Sequence, residues 1–132
     1  MNNYFLTAGI LCFILGVVHS ILGEIMIFNG KRNKNSVVPS KRSDGLKERH
    51  LRIIWATWHL ASVFGWCLAG IIIQISLIHN ELNAAFMEML IQLLTSTMFI
   101  GSCLVLLGTK GKHPGWIVLL AIGILLIVGN GM

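Results

Sequence analysis

The stretch Gly9–Gly30, GILCFILGVVHSILGEIMIFNG, decides the fold of this chain. It is apolar except for a histidine, a serine, a glutamate and an asparagine near its end. About 20 helical residues cross the hydrocarbon core of a bilayer, so the stretch is long enough to span it. It is also too long for the apolar core of a signal peptide. At alternating spacings of three and four residues, one face forms a stripe of mostly small residues around one histidine: Gly9, Cys12, Gly16, His19, Gly23, Met26 and Gly30.

The composition of the whole chain supports a membrane location. Of 132 residues, 55% are hydrophobic and only 11% are charged, whereas soluble domains carry about 25% charged residues. So short a chain leaves about a third of its surface exposed on folding, and it cannot hide this much apolar side chain from water. We therefore expect a single membrane domain, residues 1–132, with the lipid bilayer covering its apolar surface.

Four apolar segments follow one another, at residues 4–28, 51–79, 84–107 and 114–128. In lipid, only helices and closed barrels satisfy all backbone polar groups, and these segments are too long for barrel strands. The sequence therefore predicts an all-α integral membrane protein, an antiparallel bundle of four transmembrane helices. A tight turn before Pro114 predicts that the third and fourth helices are antiparallel neighbours, with Pro114 in the first turn of the fourth.

The basic residues predict the orientation. Eight of the ten lie between Lys31 and Arg52, and the other two are Lys110 and Lys112. Short basic loops stay in the cytoplasm, so the loop 29–50 is predicted to be cytoplasmic and both termini to lie on the opposite side. We expect a multi-pass protein of a prokaryotic cytoplasmic membrane. The loop is rich in Asn, Ser, Pro and Gly, without the pattern of a nucleic-acid binder.

Two histidines lie at membrane depth on consecutive segments. His19 is nine residues before Phe28, about 13 Å from the cytoplasmic boundary at the rise of a helix. His59 is seven residues after Arg52, about 10 Å from the same boundary. Ionisable groups inside a span are costly and mark functional sites. The matched depths predict that the two imidazoles can face one another.

The first functional hypothesis is a small cofactor protein for electron transfer or redox assembly. His19 and His59 would ligate haem b or a transition metal, and Gly16 and Gly23 would leave room for a flat macrocycle. Arg52 would meet a haem propionate. The simpler alternative is that the two neutral histidines form a hydrogen bond between helices.

The second hypothesis is a proton or small-ion pathway, formed by an oligomer. Glu24 is five residues from His19, about 140° around the helix, and its level predicts a salt bridge with Arg52. Further polar residues in the second and third segments recur at helical spacing and extend a possible track, namely Gln74, Glu88, Gln92 and Thr95. Their simpler interpretation is a seam of hydrogen bonds between helices.

The third hypothesis is a non-catalytic subunit that packs on a second copy or on another membrane protein through the glycine stripe. Small residues at such spacing allow close approach of helices in membranes. No phosphate-binding loop, nucleophile elbow or four-ligand metal spacing occurs in the sequence. The sequence therefore gives no positive indication of an enzyme.

Overall fold

A computed structural model describes residues 2–33, 36–41, 45–78 and 83–131. Over these ranges the fold is all-helical, as predicted. Helix α1 (Asn3–Leu22) continues directly into a π-helical segment, Gly23–Ile27, and is followed by three further α-helices. These are α2 (Glu48–Ile78), α3 (Ala84–Gly108) and α4 (Gly115–Asn130).

Most helix boundaries differ from the predicted segments by one to three residues, and the starts of α2 and α4 are the two with a clear physical reason. Helix α2 begins at Glu48 rather than at residue 51, because an acidic residue suits a helix N-terminus. The Glu48 carboxylate also lies 3.6 Å from Arg52 Nε, one turn later. Pro114 immediately precedes α4 instead of lying in its first turn. Most of the predicted connection 80–83, and His79 before it, lie outside the described residues.

Among the described residues, three helices are long and apolar enough to cross a membrane: α1 with its π-helical continuation, α2 and α3. Helix α4 is apolar but has only 16 residues, a length of about 24 Å. A membrane location is therefore plausible from length and composition. Insertion into the bilayer and the side on which the termini lie stay predictions.

The chain divides into two compact units. The first comprises Met1–Leu15 and Gly65–Met132, and the second comprises Gly16–Phe64. All four helices contribute buried apolar side chains to the core of the first unit, so this unit is held together by packing between helices. These residues are Phe5, Ala8, Cys12, Ala69, Ile72, Ile75, Met87, Ile91, Leu94, Met98, Ile122 and Leu126.

Helices α3 and α4 form the antiparallel pair that the short turn predicts. Ser102 Oγ donates a hydrogen bond to the Trp116 carbonyl oxygen at 2.8 Å. Further from the turn, the Phe99 ring packs so closely on Gly123 that an added Cβ would lie 3.0 Å from it. The turn itself uses Gly111, whose φ of 74° is favourable only for glycine. Its N–H donates to the Leu106 carbonyl at 2.8 Å and ends α3.

The first glycine of the stripe packs inside the chain. A Cβ added at Gly9 would lie 2.6 Å from Ile73 Cγ1 and 3.2 Å from the Ala69 carbonyl oxygen, both on α2. Close by in sequence, Cys12 Sγ lies 3.4 Å from the carbonyl oxygen of Gly65. The small residues therefore let α1 approach the backbone of α2, and this part of the stripe is not available to another protein.

This packing predicts a selective effect of Gly9→Ala. The added methyl group meets backbone atoms of α2 that cannot move aside, so we expect a loss of about 1–3 kcal/mol in the free energy of unfolding. The measurement is denaturant unfolding in mixed micelles, followed by circular dichroism. Gly70→Ala is the matched control, because a Cβ there meets nothing within 4 Å. Equal destabilisation by both substitutions would contradict the close contact.

Candidate functional site

The second unit holds a hydrogen-bonded group of polar side chains from the end of α1, the loop and the start of α2. We call it the Glu24 cluster, and it consists of Ser20, Glu24, Arg32, Trp55 and His59. Its members are partly buried: the side chains of Glu24 and Arg32 are each 32% exposed, and that of His59 is 23% exposed. This is the largest set of connected ionisable side chains within the described residues.

The His59 imidazole bridges one residue of α1 and one of the π-helical segment that follows it. Its Nδ1 lies 2.8 Å from Ser20 Oγ, and its Nε2 lies 2.8 Å from Glu24 Oε1. Ser20 and Glu24 are four residues apart, so they share one face of the helix. The sequence therefore presents a hydroxyl and a carboxylate at the spacing that one imidazole ring can bridge.

The Glu24 carboxylate accepts hydrogen bonds on both of its oxygens. Oε1 accepts from His59 and also from Trp55 Nε1, at 2.6 Å. Oε2 accepts from Arg32 Nη2. An ionised carboxylate is a pure acceptor with about four lone-pair sites, so three donors satisfy most of its capacity. The cluster thereby compensates for placing a charge at the end of an apolar helix.

A π-helical segment shapes this end of α1. Phe28 N–H donates to the Gly23 carbonyl oxygen at 3.1 Å, which is the five-residue bond of a π-helix. Such segments occur frequently at functional sites. The Phe28 side chain, which follows the segment, is fully buried. Its ring centroid lies 6.3 Å from that of His59 and 6.5 Å from that of Trp58, and it covers the apolar side of the cluster.

The basic loop brings Arg32 back to Glu24. Arg32 Nε donates to the Val37 carbonyl oxygen at 2.7 Å, while Nη2 reaches the carboxylate. The Lys31 carbonyl oxygen accepts from the N–H groups of Ser40 and Lys41, at 2.9 and 3.0 Å. These bonds fold the loop onto itself, so the guanidinium is fixed by its own backbone as well as by Glu24.

The predicted salt bridge between Glu24 and Arg52 was wrong. Arg52 pairs with Glu48 on its own helix, and its side chain is 55% exposed. The prediction compared only how deep Glu24 and Arg52 lie along straight helices. The actual partner, Arg32, lies in the loop, and its position depends on how that loop folds. Arg52 is accordingly not placed beside the histidines as a partner for a propionate.

The two histidines have separate partners. The His19 ring stacks on the Trp58 indole with centroids 4.2 Å apart and planes 7° apart. The His19 carbonyl oxygen also accepts from Trp58 Nε1 at 2.9 Å. The same indole lies on Gly23, where an added Cβ would overlap it. The space beside Gly23 that was predicted to hold a macrocycle is therefore occupied by the Trp58 side chain. Gly16, the other glycine predicted to leave room for it, is buried.

The geometry gives little support to metal ligation. Both ring nitrogens of His59 already have hydrogen-bond partners. In the described parts of the chain, no three His, Cys, Asp or Glu side chains come together as a ligand set. Haem b or a transition metal on His19 and His59 stays a prediction, and it would require both rings to leave their present partners.

The other predicted pathway residues lie in the first unit, mostly on helix surfaces. Gln92 Nε2 donates to Glu88 Oε1 at 3.2 Å, and both side chains are exposed on α3. Gln74 is exposed on α2 and lines an almost wholly apolar groove of about 470 Å³. The Thr95 hydroxyl is buried, and it has no hydrogen-bond partner among the described residues.

Sequence reasoning missed Ser20, Arg32, Trp55 and Trp58 as members or neighbours of the site. A signal was present in the pairs His19-Ser20 and Gly23-Glu24, four residues apart on α1. They meet the consecutive Trp58 and His59 of α2. Trp58 packs against His19 and Gly23, and His59 contacts the neighbouring residues Ser20 and Glu24. Arg32 had no comparable signal, because only the loop conformation brings it near.

Comparisons with known proteins add no assignment: no family model matches the chain, and no curated protein or solved structure matches it significantly. The Glu24 cluster is therefore the feature on which a functional proposal rests.

The two arginine–glutamate pairs predict different costs for the same substitution. Arg32→Gln leaves a partly buried carboxylate without its cation, and we expect it to lower the free energy of unfolding by about 1–3 kcal/mol. Arg52→Gln breaks an exposed pair within one helix, and its cost should stay below about 1 kcal/mol. Both variants lose one positive charge, so unfolding in mixed micelles compares them directly. A larger cost for Arg52→Gln would refute the assigned pairing.

Proposed function

We propose that this chain is an integral membrane protein that transfers protons, with His59 as the proton carrier and Glu24 as the charged acceptor that orients its ring. The membrane location is supported by three apolar helices of sufficient length and by a composition with only 11% charged residues. The observation that carries the proposal is the bridging position of the His59 ring between a hydroxyl and a carboxylate. Under the proposed orientation, the cluster lies at the cytoplasmic end of the spans.

The bridged imidazole can change its protonation state without movement of heavy atoms. When neutral, it donates from Nε2 to Glu24 and accepts at Nδ1 from the Ser20 hydroxyl. When protonated, it donates from both nitrogens, and the Ser20 oxygen becomes an acceptor, since a hydroxyl is both donor and acceptor. Rotation of one hydroxyl therefore accompanies uptake or release of a proton.

Ser62 supports an inward continuation of this route. It lies three residues after His59, on the same side of α2, and its side chain is only 2% exposed. Its hydroxyl has no hydrogen-bond partner within the described residues. Ser62 is ten residues after Arg52, about 15 Å along the helix, or half the thickness of a hydrocarbon core. A buried hydroxyl at that depth suits a water-mediated step.

The polar pair on α3 of the first unit is proposed to need an oligomer. Glu88 and Gln92 are hydrogen-bonded to each other but exposed on α3, and in a single chain they would face lipid. Polar and ionisable side chains at membrane depth almost always face protein or a water-filled cavity. A second copy covering α3 would provide that environment and bring two such pairs together.

The competing hypotheses receive less support from the contacts. A haem or metal between the histidines would have to displace the Trp58 indole and the partners of His59. A subunit that docks through the glycine stripe would need Gly9 and Gly23 on the surface, yet both are covered by side chains of α2. Neither hypothesis explains why Glu24, His59 and Ser20 are connected.

Proton flux into proteoliposomes tests the proposal. A potassium gradient with valinomycin drives protons inward, and a trapped pH-sensitive dye reports them. We expect wild-type flux above that of empty vesicles, and about a hundredfold loss in both Glu24→Gln and His59→Gln. His59→Gln removes the positioned proton carrier, and Glu24→Gln removes the charged acceptor that orients it. Ser20→Ala should give a smaller loss, since water can replace a hydroxyl.

Glu48→Gln is the matched control, because it neutralises an exposed carboxylate at the start of α2 outside the cluster. Its flux should remain within about twofold of wild type, as expected for a surface substitution with little effect on the fold. Reconstituted amounts and circular dichroism spectra must agree among all variants. Wild-type flux equal to that of empty vesicles, or unchanged flux in Glu24→Gln, would overturn the proposal.

A further inference from the structure

A basic groove lies beside the Glu24 cluster and plays no part in the proposed proton route. It has a volume of about 740 Å³ and is formed by the loop and the start of α2. Four cationic residues line it: Lys41, Lys47, Arg49 and Arg52. Its size is in the range of about 300–1,000 Å³ of small-molecule sites. The groove is shallow and largely open, so the tail of a long ligand can extend out of it.

The charge of the groove selects an anion. The one carboxylate in its lining belongs to Glu48 and already pairs with Arg52. The other polar residues of the lining are Asn33, whose carboxamide can donate hydrogen bonds, and Ser40, whose hydroxyl donates to Ser36 Oγ at 3.4 Å. The 31-residue helix α2 begins in this groove, and the positive end of its dipole adds to the attraction. Cations, neutral donors and a helix N-terminus together match phosphate oxygens.

The walls of the groove are held in place by backbone bonds. The N–H groups of Ser40 and Lys41 both donate to the Lys31 carbonyl oxygen, which fixes two lining residues on the loop side. On the other side, Lys47 precedes α2, and the helix fixes Arg49 and Arg52. The backbone positions of these lining residues are therefore fixed within the unit.

We propose that this groove binds a phosphate group, either the headgroup phosphodiester of an anionic phospholipid or a free phosphate. The π-helical continuation of α1 ends at Ile27, and the apolar part of α2 starts after Arg52. In a membrane, the groove would thus lie at the headgroup level, where anionic lipids attract clustered Lys and Arg. The lipid source needs the membrane location of the previous section, whereas the free phosphate does not. Neither needs proton transfer.

Thermal unfolding in a neutral detergent distinguishes the sources. Dioleoylphosphatidylglycerol, dioleoylphosphatidylcholine and inorganic phosphate are added separately to the purified chain. We expect phosphatidylglycerol to raise the midpoint in a saturable way, since a ligand of the folded state stabilises it, and phosphatidylcholine to leave it unchanged. A rise with inorganic phosphate as well shows that the phosphate group alone suffices. No rise with either anionic ligand overturns the proposal.

Matched variants separate a site from general charge attraction. Lys47→Gln/Arg49→Gln removes two cations of the groove, and Lys110→Gln/Lys112→Gln removes two from the other loop. We expect half-saturation to need about 25-fold more phosphatidylglycerol in the first pair, at about fivefold per cation, and less than about threefold more in the second. Arg49→Lys should retain binding. Equal losses in both pairs would overturn the site.

Discussion

A carboxylate at the end of an apolar helix persists only where its charge is compensated, and Glu24 is compensated from three directions. Trp55 and His59 donate from α2, and Arg32 donates from the loop. The same carboxylate thus joins the end of α1, the start of α2 and the basic loop within one compact unit. Removing it would leave an arginine, an indole N–H and an imidazole to find other partners, which is costly in a partly buried site.

Close packing holds the imidazole against that carboxylate. Gly23 has no side chain, so the Trp58 indole lies directly on α1 and stacks on His19. His59, the next residue, is then presented to Ser20 and Glu24. The glycine stripe consequently serves packing within the chain, and one of its effects is to fix a titratable ring. The basic groove beside the cluster shares its loop, so an anion bound there would also restrain the backbone that carries Arg32.

Features of the fold that depend on residues close in sequence could be predicted, whereas contacts between residues far apart in sequence mostly could not. Hydropathy and helix length predicted the four helices, and the short turn predicted the antiparallel pairing of α3 and α4, because these depend on neighbours in sequence. His59 and Glu24 were identified because ionisable residues are rare at membrane depth. Their pairing was not predicted, since the face of Ser20 was overlooked beside that of His19. The contact of Arg32 with Glu24 could not be predicted, because the loop has no periodic pattern that shows in which direction its side chains point.

The hydrogen bond between Glu24 and His59 is tested most directly by nitrogen-15 magnetic resonance of histidine-labelled protein in lipid bilayers. Wild type is compared with Glu24→Gln and Glu48→Gln, and the His59 signals are assigned by their absence in His59→Gln. We expect Glu24→Gln to shift the nitrogen-15 signals of the His59 ring, because it removes the charged acceptor of Nε2–H. Glu48→Gln should leave these signals unchanged. His59 signals that are the same in wild type and Glu24→Gln would contradict the central hydrogen bond between Glu24 and His59.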